Sequence, residues 1–109
     1  MVPVPPVDLN SAAAERWAAV VRILQQRGML DEADLGQVRR YCWLWARWVE
    51  LSTWIDVHGT THAVKDAAGK PVWAANWPQV NTIIQIETQL ARLEERLGLA
   101  GWAGTAVNL

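Results

Sequence analysis

The residues of this 109-residue chain best equipped for chemistry are two histidines, one cysteine and a set of arginines and lysines. His58 and His62 are four apart, the separation at which two imidazoles on a helix share a metal ion. The zinc-protease form of that motif needs a glutamate directly after the first histidine; Gly59 stands there and argues against a helix as well. Third ligands nearby reduce to Asp56 or Asp66, so the pair reads as surface histidines of a hairpin, with no metal expected. Cys42 lies on an apolar helical stripe and reads as a small buried hydrophobe, not a nucleophile. Gly69-Lys70 lacks the glycine spacing of a phosphate loop, and the acid pair Glu94 and Glu95 reads as part of a solvated helix face. With no catalytic constellation and no cofactor motif, the chain is expected to be non-enzymatic.

The basic residues carry more. Arg39, Arg40 and Arg47 share one helical segment, Arg16, Arg22 and Arg27 precede it, and Lys65 and Lys70 flank a turn. Ten Lys and Arg stand against eleven Asp and Glu, for a net charge of −1. A single copy of such a chain supplies little counterion-release affinity for nucleic acid. Its cations then serve as solvating charges, paired with Glu15, Asp31 or Glu50. Repeated around a ring, the same few cations would focus positive potential on an opening. Arg39, Arg40, Arg47, Lys65 and Lys70 are therefore the candidates for DNA contact.

These residues depend on the elements that position them. Residues 1–10 contain Pro3, Pro5 and Pro6, each without a backbone N–H, and read as a flexible or extended arm. Asn10 or Ser11 caps a first helix on which Trp17, Val20, Val21 and Leu24 follow the i, i+3, i+4, i+7 rule, and Gly28 ends it. Asp31 is the expected N-cap of the second helix, with Glu32 and Asp34 near its positive end; Leu35 then starts the long helix, which runs to about Val57. Thr60, Thr61 and Val64 suit a strand, Asp66 to Lys70 a turn, and Val72 to Ala75 a returning strand. Pro78 opens a third helix on which Val80, Ile83, Ile84, Leu90, Ala91 and Leu97 keep helical spacing, interrupted by Glu87 and closed at Gly98. Residues 100–109 read as an irregular tail. The expected fold is mainly α: a helical hairpin with one long helix, a two-stranded β-hairpin and a C-terminal helix, all within one domain over residues 11–99. One cysteine excludes an intrachain disulfide and fits a reducing cytoplasm. No apolar run approaches the roughly 20 residues of a membrane span, and no secretion signal is expected.

The long helix is apolar on two sides. Leu35, Val38, Cys42, Trp45, Ala46 and Val49 form one stripe; Leu44, Trp48, Leu51 and Ile55 form another, roughly opposite. A surface helix needs only one. So short a chain has little to cover both, so Cys42, Trp45 and Val49 are expected in the core. Leu44, Trp48, Leu51 and Ile55 are expected at a contact between subunits. Trp is a residue that interfaces favour, and Trp43, Trp45, Trp48 and Trp54 all sit here.

The order of these features resembles the small subunit of phage terminase, in its short helical branch with a hairpin between the last two helices. The landmarks are Leu24-Gln25-Gln26-Arg27-Gly28-Met29-Leu30, then Asp34, then Tyr41 and Trp48 on the long helix. A glycine-bearing hairpin follows, with Trp77-Pro78 opening the last helix and Leu97-Gly98-Leu99 closing it. The resemblance spans about Trp17 to Leu99. It departs where the family commonly has a Thr-Pro-Ser-like segment and an Arg; here Ala100-Gly101-Trp102-Ala103 follows. The resemblance implies a non-catalytic DNA-packaging protein of the host cytoplasm. Its expected partners are double-stranded viral DNA, the large terminase subunit, which carries ATPase and nuclease, and itself, in a homo-oligomeric ring of roughly eight to ten copies. The rival readings are a helical interaction adaptor or virion-assembly component that does not bind DNA, which the net charge favours, and a helix-turn-helix regulator using the Arg27 to Tyr41 region.

Overall fold

A computed structural model describes residues 3–99. Three helices and one hairpin follow in the order α1 (Ser11–Gln26), a short 3-10 turn (Leu30–Glu32), α2 (Leu35–His58), β1 (Thr61–Lys65), β2 (Pro71–Asn76) and α3 (Pro78–Arg96). The mainly α architecture matches the expected one element by element. The expected tail at 100–109 lies outside the described residues.

Local chemistry sets the boundaries. The Asn10 side chain accepts from the Ala13 N–H at 2.9 Å, capping α1. At the far end Gly28 takes a φ of 68°, which lets Met29 N–H reach Leu24 C=O and Gly28 N–H reach Gln25 C=O. The same pair of bonds ends α3 at Gly98, φ 74°, with Leu99 bonding to Glu94 and Gly98 to Glu95. One cap differs from expectation. Asp34, not Asp31, caps α2, its Oδ1 accepting from the Gly36 and Gln37 N–H groups. Asp31 is taken up by the 3-10 turn, and α2 begins at Leu35, as expected for the long helix.

β1 and β2 pair antiparallel, with Thr61 opposite Asn76 and Val64 opposite Trp73. Asp66 organises the connection: its Oδ1 accepts from the Ala68 and Lys70 N–H groups, both at 2.9 Å. Gly69, at φ 81°, completes the turn.

α2 is the central helix, in contact with both others. α1 and α3 both pack against it, and α3 runs antiparallel to it, since Tyr41 meets Glu94 and Trp48 meets Glu87. Ala13, Trp17, Val20, Val21 and Leu24 of α1, Val38, Cys42, Leu44 and Ala46 of α2, and Ile86, Leu90, Leu93, Leu97 and Leu99 build one core. This arrangement corrects the premise about the second stripe. α3 of the same chain covers it: Leu44 is only 6% exposed, Trp48 and Leu51 pack against the core, and Ile55 is half-buried. The first stripe is core at Val38, Cys42 and Ala46, while Trp45 is half-buried and Leu35 and Val49 are exposed. Val49, expected in the core, lies past the end of α1 coverage.

The core is confined to one end. α1 covers only the first half of α2, and no residue from Arg47 through Gln85 is buried. The second half of α2, the β-hairpin and the start of α3 project as an arm two helices thick. The molecule is accordingly long, 64 × 27 × 18 Å, with a radius of gyration of 17.7 Å where a compact domain of this length has about 13 Å.

Candidate nucleic-acid interface

A buried polar chain holds the three helices in register and so places the charged surface. Arg16 of α1 donates through Nη2 to the Tyr41 hydroxyl at 2.7 Å, and that hydroxyl donates to Glu94 Oε2 of α3 at 2.7 Å. The Arg16 guanidinium also lies 3.5 Å from the centre of the Trp45 ring. Glu94 is 3% exposed, which corrects its reading as a solvated acid. Burial, more than either neighbour, holds the Tyr41 hydroxyl protonated far above its ordinary range. Glu87, which breaks the apolar pattern of α3, accepts from the Trp48 indole N–H at 2.9 Å. Buried Cys42 has its thiol pushed up to about 12 by desolvation, which leaves it inert as a nucleophile at neutral pH.

The five expected DNA contacts do not form one patch. Arg39 and Arg40 sit near the start of α2, and Lys65 and Lys70 on the hairpin past its end; about 27 Å of helix separates Arg40 from His58 alone. Arg39 is ion-paired with Asp8, whose carboxyl is held below its ordinary value chiefly by the hydrogen bond from Arg39. The expected partners Glu15, Asp31 and Glu50 are thus replaced at Arg39 by a residue of the N-terminal arm. That arm is held a second time where the Trp17 indole N–H donates to the Pro3 carbonyl at 3.1 Å. Arg47 lies 5.2 Å from the centre of the exposed Trp43 ring. Lys65 and Lys70 are exposed on either side of the turn. Arg40 faces α3, where it lines a cleft with Arg92 and Arg96. Those two arginines stand i, i+4 on α3, a spacing visible in the sequence, and are not among the five expected contacts.

The histidines are occupied by aromatic contacts. The His58 ring stacks on Trp54 at 4.1 Å, with Nδ1 2.9 Å from the Trp54 carbonyl, and His62 stacks on Trp77 at 4.3 Å. Among the described residues no three His, Cys, Asp or Glu side chains gather into a metal-binding group. No helix among them is long and apolar enough to cross a membrane.

A family model described as phage terminase, small subunit, matches residues 13–108. The chain belongs to the phage terminase small-subunit family. Most of the terminase match coincides with the described fold, from the first turn of α1 through the end of α3. Membership gives this terminase subunit a role in phage DNA packaging, in a family that is generally regulatory rather than catalytic. No curated protein and no solved structure matches the chain.

Proposed function

We propose that this chain is the recognition and regulatory component of a phage packaging motor in the host cytoplasm. Copies assemble into a closed ring of roughly eight to ten subunits, engage double-stranded viral DNA and recruit the large terminase subunit to start packaging. The chain performs no reaction of its own. The family match over residues 13–108 carries the reading. The shape supports it, because an arm with no buried residue from Arg47 to Gln85 is what a protomer leaves for neighbours to cover.

Of the residues expected at the subunit contact, Leu44 is sealed inside its own protomer. Trp48, Leu51 and Ile55 keep part of their surface. With exposed Trp43, Trp73 and Ile84 they offer the apolar area that self-association would bury. Arg39, Arg40, Arg47, Lys65 and Lys70 are proposed to face DNA, Arg39 after release from Asp8. A net charge of −1 favours the second reading, a packaging-associated adaptor that never touches DNA.

Native mass spectrometry across a range of salt, followed by duplex binding on the same sample, separates the two. A closed assembly with salt-sensitive DNA binding is the expected result. An assembly that ignores DNA at low salt selects the adaptor, and a monomer or dimer removes the ring.

A further inference from the structure

Gln37 and Arg40 are one turn apart on α2, and Gln89, Arg92 and Arg96 repeat at i, i+3 and i+7 on α3. The antiparallel packing brings all five to one seam, where they and Leu93 line an open cleft of about 240 Å³. Among the described residues no carboxylate lines it. None of the three guanidinium groups has an ion pair, hydrogen bond or ring contact among the described residues. A second cleft of about 300 Å³ shares Gln37 and Arg96; Asp34, the acid among its described lining residues, is held by N–H groups at the start of α2. Gln37 Oε1 is buried with no partner.

Three like charges set around one concavity repel each other, and an anion reverses the sign of that term. Planar guanidinium forks match the paired oxygens of a phosphate. The volume is below the roughly 300 Å³ at which pockets begin to enclose a whole small molecule. It suits a single phosphate group whose substituents lie outside. We infer that the α2–α3 cleft formed by Arg40, Arg92 and Arg96, with Gln37 and Gln89, binds a phosphodiester of the DNA backbone. This inference rests on the DNA-binding reading and names the site where contact is made.

The test is fluorescence anisotropy of the full chain with a labelled DNA duplex over a salt series. The triple variant Arg40→Gln, Arg92→Gln, Arg96→Gln replaces exposed side chains, and circular dichroism checks its fold. It is expected to weaken binding at least about tenfold and to reduce the slope of log K against log salt by about 0.9 per engaged protomer. Arg92→Gln alone is expected to weaken binding several-fold more than Arg22→Gln, which removes the same charge from exposed α1 surface. Wild-type binding with an unchanged triple variant would overturn the cleft and leave the DNA reading standing. So would equal losses for Arg92→Gln and Arg22→Gln, which reduce the effect to net charge. Absence of wild-type binding at the lowest salt would overturn the DNA reading and the inference with it. Thermal stabilisation by inorganic phosphate or ATP that the triple variant loses, with DNA binding intact, would overturn the phosphodiester in favour of a small phosphate ligand.

Discussion

Tyr41 shows how much one side chain carries in this protein. Its hydroxyl is the middle of a three-helix chain, so Tyr41→Phe removes the hydroxyl donor to Glu94 Oε2 and one acceptor of Arg16 Nη2. Leaving buried polar groups unpaired costs about 1–3 kcal/mol. Urea unfolding of Tyr41→Phe is expected to show a loss in that range; a change within about 0.5 kcal/mol, typical of surface substitutions, would show that water reaches the site. Tyr41 and Cys42 also set an alkaline limit. Both groups are neutral when protonated, and burial raises both above their ordinary values, 10.0 for the tyrosine and 9.0 for the thiol, which reaches about 12. The unfolded chain ionises first. Stability from these groups is therefore complete below about 9 and falls as pH rises through about 9 to 12. Chemical denaturation across that window, compared with Cys42→Ala, checks the sign. A thiol reagent is expected to label Cys42 only on unfolding.

At the scale of elements, two helix ends with the same geometry differ in surroundings. Gly28 and Gly98 both close their helices at positive φ, but a Cβ on Gly28 meets nothing within 4 Å, whereas one on Gly98 collides with the end of the Met29 side chain. Gly28→Ala is expected to cost about 1 kcal/mol from backbone conformation alone. Gly98→Ala is expected to cost more, and thermal melts showing equal losses would refute a firmly seated Met29. Most elements were legible before the structure, because each carried a local signal: Asn10 before a helical period, Asp66 to Gly69 between two β-branched runs, and Pro78 at a first turn. The subunit contact assigned to Leu44 was not, since periodicity marks a face as apolar without saying what covers it. Glu94 misled for a related reason. Its burial depends on Arg16 and Tyr41, which are remote in sequence, and an acid beside Glu95 on a charged helix gives no sign of either. Likewise Arg40, Arg92 and Arg96 converge only once α2 and α3 pack antiparallel.

For the whole molecule, the decisive fact is the division between a core end and an arm. In a dilute, dissociated sample, hydrogen exchange is expected to be slow for residues 38–46 of α2 and for Leu90 and Leu93. It should be markedly faster across 49–57 and the hairpin. On assembly, the arm is expected to gain protection and the core end to change little. Equal protection of both ends in the dissociated state would refute the division, and an arm that stays exposed after assembly would exclude it as the contact surface.

The same division bears on how such a protein changes over generations. Substitutions that ruin folding fall mostly where side chains are buried, at the α1 end. Between Arg47 and Gln85 the isolated protomer tolerates replacement cheaply. Mutation there can alter whom the subunit meets without first threatening whether it folds, so lineages are free to diverge in the arm while the three-helix end stays recognisable.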